Sequence, residues 1–170
     1  MRHLIAILAL AALLAGCSPD YNWRQAQLAD GAVTAFFPDR PSTQSRQVSY
    51  AGHDIMFTLT SASVGDALFT VAYASFPPIM ARDAALRAGF AEGVIESLYR
   101  NLGVAPPLER LAYGVPFTID GKAPSGKPLR LQATLWLTEG AVVEALVTSG
   151  TSAFPQAQAD EFLRGIDMAR

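Results

Sequence analysis

The sequence predicts an α+β domain: an antiparallel β-sheet of about six to eight strands, covered by one long central helix and a short C-terminal helix. Three observations carry this prediction. Strand-like runs follow one another across Gly-containing turns at Gly52, Gly65-Asp66 and Glu139-Gly140, which suit hairpins between antiparallel neighbours. One stretch of helical periodicity, Asp83 to Leu102, interrupts them in mid-chain. The run Leu129 to Leu137 alternates strictly, with Leu129, Leu131, Ala133, Leu135 and Leu137 against Arg130, Gln132, Thr134, Trp136 and Thr138, marking a sheet with two unlike faces.

The first sixteen residues stand apart from this domain. Met1-Arg2-His3 is a positive start, and Leu4 to Leu14 is an apolar run too short to span a bilayer as a mature helix, so the segment reads as an export signal. It closes on Leu14-Ala15-Gly16-Cys17, which resembles the lipobox of bacterial lipoproteins. The resemblance implies that the Cys17 thiol receives a diacylglycerol, that cleavage makes Cys17 the first mature residue, and that the acylated terminus anchors the protein to a membrane. Ser18 follows rather than the aspartate that resembles an inner-membrane retention signal. The expected location is therefore the bacterial cell envelope, on the outer membrane facing the periplasm. Residues 17–22 form a short lipidated tether, reaching less than about 20 Å at roughly 3.3 to 3.6 Å per extended residue. Residues 23–170 form a single globular domain.

Within the domain, Trp23 to Leu28 and Ala32 to Phe37 are the first strands, with Asp30-Gly31 as their turn and Pro38 and Pro41 as the stop. Gln47 to Ala51 and Ile55 to Ala62 make a hairpin across Gly52, His53 and Asp54. Gly65-Asp66 leads into Leu68 to Ala74, continuous enough in its apolar character to be a central strand. The apolar loop Phe76-Pro77-Pro78-Ile79-Met80 comes next. It is either a partner-binding patch of Phe76, Ile79 and Met80 or a lid that folds these side chains onto the core.

Asp83 caps the long helix, and Gly103 with Pro106-Pro107 ends it. Leu86, Phe90, Val94, Ile95, Leu98 and Leu102 share one half of it, with Glu92, Glu96 and Arg100 opposite. Gly89 and Gly93 lie at the border, where missing side chains permit close approach. Leu108 to Tyr113, Val115 to Ile119, Leu129 to Leu137 and Val142 to Val147 are the later strands, and Pro155 opens the short final helix to Leu163.

This pattern resembles the PsbP/Mog1-like fold. The matching residues are Gly31-x-Val33 leading to Phe37-Pro38 and Pro41, the two hairpins into Val71-Ala72-Tyr73, the Asp83-Ala84-Ala85-Leu86 helix start, and Phe162-Leu163 near the end. The resemblance implies accessory roles in assembly or binding and supplies no catalytic residues. Arg164-Gly165-Ile166-Asp167-Met168 departs from the Ser-Phe-x-Leu-like strand with which family members often finish.

Composition narrows the function classes. With 13 Lys plus Arg against 15 Asp plus Glu the chain is mildly acidic and has no basic stripe, which argues against nucleic acid. Cys17 is the sole cysteine, so no disulfide is expected, and no His/Cys cluster suggests zinc or another cofactor. Gly121 to Lys127 has the Gly-x-x-x-x-Gly-Lys spacing of a phosphate loop, but Pro128 stands where Ser or Thr would hold magnesium, and a strand follows instead of a helix. His53 beside Asp54, with Ser61, Ser63 and Asp66, is the sparse material for a hydrolase. The leading expectation is a non-enzymatic, membrane-anchored module that binds another envelope protein. The alternative is a small-ligand carrier or sensor with an apolar pocket between sheet and helix, and a hydrolase using His53 stands last.

Overall fold

The computed structural model describes residues 21–169; the export signal, the lipobox and Cys17 lie outside the described residues. The folded body begins earlier than Trp23. Tyr21 stacks on Trp23 with ring centroids 6.0 Å apart and meets Phe69 edge-on, and the Asn22 amide donates to the Pro38 carbonyl at 2.7 Å.

Among the described residues nine strands form two antiparallel sheets. Strands β1 (Arg24–Leu28), β2 (Val33–Phe37) and β9 (Asp167–Met168) make a small sheet in the order β1-β2-β9. The main sheet has the order β3-β4-β5-β8-β7-β6, from β3 (Ser42–Tyr50), β4 (His53–Val64), β5 (Ala67–Ser75), β6 (Phe117–Lys122), β7 (Pro128–Leu137) and β8 (Ala141–Gly150). The helices are α1 (Pro78–Ala81), α2 (Ala84–Asn101) and α3 (Gln156–Arg164). The architecture is α+β, with two sheets where the sequence suggested one.

Local chemistry explains the hairpins. Ala51 and Gly52 both have positive φ, 49° and 78°, as a two-residue hairpin with the right twist requires. The turn is therefore shorter than expected, and His53 and Asp54 belong to β4, with His53 opposite Tyr50. Helix α2 starts where Asp83 Oδ1 accepts from the Ala85 and Leu86 amides at 2.9 and 3.1 Å. It ends at Gly103, whose φ of +68° turns the chain away. Gly121 marks the closest approach of this end to the sheet, because a Cβ there would collide with the Leu102 carbonyl oxygen.

Two expectations need correction. Residues 108–113 form no strand: Leu108 is fully exposed, and Gly114, with φ of +77°, turns the chain before β6 starts at Phe117. Pro106-Pro107 and a single partly buried apolar residue, Leu111, leave that stretch without the repeated inward face a ladder needs. Of the two readings of Phe76, Ile79 and Met80, burial fits the lid for Phe76 and Met80, and the three do not form one exposed patch. Phe76 and Met80 are buried beside Phe90, and Ile79 alone points outward, because α1 turns successive side chains through about 100°.

The main sheet is the middle layer. One face meets α2 through Ile55, Phe57, Phe90, Ile95, Leu98, Ile119, Leu131 and Leu135. The other meets the small sheet and α3 through Val33, Phe37, Phe69, Val71, Val147 and Phe162. The alternation in β7 is thus a switch between two covered faces, and Gln132 and Thr134 are buried on the second. Gln132 is satisfied there: its Nε2 donates to Asp160 Oδ1 at 2.9 Å, and its Oε1 accepts from Gln156 Nε2 at 2.7 Å.

Candidate functional site

Helix α2 covers its face of the sheet unevenly. Phe90, Ile95, Leu98 and Tyr99 are buried, but the same helix presents Gly93, Val94 and Ser97 over β3, β4, β5 and β8. Glycine, valine and serine are too small to reach the sheet, and a Cβ added at Gly93 would touch nothing within 4 Å. A cavity of about 650 Å³ remains between helix and sheet, walled mainly by apolar side chains including Val48, Leu59, Leu68, Leu129 and Leu146. That volume lies within the range of small-molecule sites. Tyr50 and Phe57 close one end, and Ala123 and Pro124 border the other.

Glu144 lies in this cavity's lining, on the central strand β8. Its registry partners are Ala72 on β5 and Leu135 on β7, and Val142 and Leu146 flank it on the same face. None of these four side chains carries a donor. Glu144 is 4% exposed, its Oε1 has no hydrogen-bond partner, and among the described residues no cation pairs with it. Desolvation pushes its carboxyl up to about 7. Two other polar groups of the lining are engaged: Thr70 Oγ1 bonds Ser61 Oγ at 2.8 Å, and Ser97 Oγ donates to the Val94 carbonyl at 2.7 Å. Burying a polar group without a partner costs about 1 to 3 kcal/mol, so an orphaned acid in an apolar chamber calls for a reason.

The residues singled out by sequence are dispersed around this site. His53 and Ser61 lie eight residues apart on the same strand, roughly 26 Å at strand spacing, so the structure brings no hydrolytic triad together. Ser61 is instead bonded to Thr70. Residues 121–127 form a turn whose amides face inward: the Ala123 amide donates to the Lys127 carbonyl at 2.9 Å and the Gly126 amide to the Ala123 carbonyl at 2.8 Å. Those groups cannot cradle a phosphate, and the turn contributes Ala123 and Pro124 to the cavity border. Among the described residues no three His, Cys, Asp or Glu side chains gather to hold a metal ion, and no helix is long and apolar enough to cross a membrane.

Glu144 escaped the sequence reading, although a signal was there. In Val142-Val143-Glu144-Ala145-Leu146-Val147 one acid interrupts an apolar strand and takes an inward position between Val142 and Leu146. No protein-family model, no curated protein and no solved structure matches the chain, so its function is argued from this geometry.

Proposed function

We propose that the protein is a lipid-anchored envelope protein whose domain binds a small apolar ligand between α2 and the main sheet. The single observation that carries the binding reading is the apolar cavity of about 650 Å³ with the unpartnered Glu144 in its lining. A ligand supplies what the fold leaves out: apolar contact for Leu59, Leu68 and Leu146, and a partner for the acid. The lipobox and the positive start support the anchor. Tyr21 already packs on the domain, so the span from Cys17 to the folded body is about 14 Å at full extension, holding the cavity near the bilayer that would donate or receive a lipophilic molecule. The likeness to the PsbP/Mog1-like fold accords with a binding role and brings no catalytic residues.

The test is to isolate the full-length protein from its own membrane, extract it with organic solvent and identify the small molecules by mass spectrometry. The control is Gly93→Leu, whose Cβ meets nothing within 4 Å and whose longer side chain extends from the helix into the cavity. A molecule present in near-stoichiometric amount with the natural protein and absent from Gly93→Leu is the expected result; equal amounts in both would remove the cavity reading. Cys17→Ser should move the protein from the membrane to the soluble fraction, and unchanged fractionation would remove the anchor alone.

A further inference from the structure

The cavity's polar chemistry narrows the ligand class. We propose that it takes an amphiphile with one protonated amine on an apolar body, the amine seated on the Glu144 carboxylate and the body lying along Leu59, Leu68, Val94 and Leu146. This rests on the binding reading above and adds the identity of the head group.

Charged and titratable groups reach the cavity from two elements. Strand β3 contributes Arg46 and Tyr50 and α2 contributes Arg100, while β4, β5, β7 and β8 add none besides Glu144 itself. Neither arginine serves as its counterion. The Arg46 guanidinium lies over the Phe57 ring at 5.8 Å from its centroid, and Arg100 donates to Glu96 at 3.2 Å. The acid thus lacks a cation, and the surroundings that make it costly when alone strengthen its attraction to one that arrives.

Three head groups can be ranked on this arrangement. A carboxylate at Glu144 would place two negative charges together in a low-dielectric chamber, so one must stay protonated. An alcohol gains a neutral hydrogen bond. An ammonium gains charge-assisted hydrogen bonds, which are shorter and about twice as strong as neutral ones. The arginines also set the number of charges: with Arg46 and Arg100 lining the same cavity, a second cationic group on the ligand is disfavoured, which selects a monoamine.

Proton balance makes the proposal measurable. Glu144 holds a proton below about pH 7 in the empty protein, and seating an ammonium releases that proton to solvent. Affinity should fall with pH below that point, approaching about tenfold per unit well below it, and be level above it, until the amine itself deprotonates near about 10.

The experiment uses the full-length chain in phosphatidylcholine nanodiscs, with empty discs as blank, titrated calorimetrically with decylamine, decan-1-ol and decanoic acid at pH 6, 7 and 8. Decylamine is expected to bind at least tenfold more tightly than decan-1-ol at pH 8 and to weaken about fivefold between pH 7 and pH 6. Glu144→Gln should bring decylamine to the level of decan-1-ol and remove its pH dependence. Decan-1-ol binding retained in that variant shows that it is folded. Decanoic acid binding as well as decylamine, or an unchanged preference in Glu144→Gln, overturns the amine assignment. Decan-1-ol binding that Gly93→Leu abolishes keeps the cavity reading even then, whereas binding of no probe above the blank removes both.

Discussion

The two faces of the main sheet share their strands and are finished differently. On the face covered by α3, large side chains interlock: Phe162 lies 5.5 Å from Phe37 and 5.4 Å from Phe69 between ring centroids, and the buried Gln132 is bonded to both Asp160 and Gln156. On the face covered by α2, side chains pack closely around Ile119, Ala133 and Leu135 but leave space over Leu59, Leu68 and Leu146, and the buried acid there has no partner. The strands alternate alike toward both sides. The covering elements differ: α3 offers Phe162 and Leu163 where α2 offers Gly93, Val94 and Ser97. The first face holds the fold together, and the second has room for chemistry.

The largest expected effect lies on the closed face. Phe162→Ala should lower stability by about 3 to 5 kcal/mol, the usual cost of truncating a fully buried aromatic in a tight core. Leu146→Ala should cost less than about 2 kcal/mol, because Leu146 is only partly buried and already borders a void. Urea denaturation of both variants at unchanged m-value checks the contrast. Equal losses would mean that α2 seals its face in solution as well as α3 seals the other.

Next in size is the titration of Glu144, the group that most separates the faces. Its unfolded-state value is near 4.5 and its folded-state value about 7, so between these the native protein holds a proton that the unfolded chain has released. Stability must then fall as pH rises through that window and level off above it, by roughly 3 kcal/mol in total. Glu144→Gln carries no such proton, so its stability should lack this slope, and it should exceed the natural protein in stability at pH 8. Thermal or urea unfolding from pH 4 to pH 8 measures it. Parallel curves for the two proteins would mean that Glu144 is hydrated or paired in solution.

How much of this was legible depends on whether the signal was local. The hairpin at Gly65-Asp66, the Asp83 cap and the alternation from Leu129 to Leu137 are local, because turn chemistry, amide capping and pleat period act over a few residues, and each appears in the structure. The second sheet was hidden, since β9 is two residues long and exists only because β2 lies beside Asp167 and Met168. Phe76, Ile79 and Met80 looked equivalent as apolar residues near prolines; Phe76 is buried ahead of α1, and within α1 Met80 turns inward while Ile79 turns out. The cavity was the least legible feature. Gly93 looked like a point of close approach and Val94 like part of the packed apolar face, whereas a Cβ at Gly93 meets nothing within 4 Å, and the space there follows from how the larger Phe90 and Leu98 on either side seat on the sheet.

The smallest expected effect concerns two glycines of α2 that look alike in the sequence, Gly93 in the cavity lining and Gly89 against Tyr50. Replacing an interior helix glycine with alanine usually adds about 1 kcal/mol, by restricting the unfolded chain and completing the helix surface. Gly93→Ala should show this gain, since its new Cβ meets nothing within 4 Å. Gly89→Ala should not, because its Cβ would lie 2.5 Å from Tyr50 Oη. Tyr50 packs edge-on against Phe90 with centroids 5.3 Å apart, so relieving the contact disturbs an aromatic pair worth about as much as the helix gains. Chemical denaturation should therefore place Gly93→Ala about 1 kcal/mol above the natural protein and Gly89→Ala at or below it. If both gain equally, Tyr50 swings aside freely, and the end of the cavity beside Gly89 is a movable gate instead of a fixed wall.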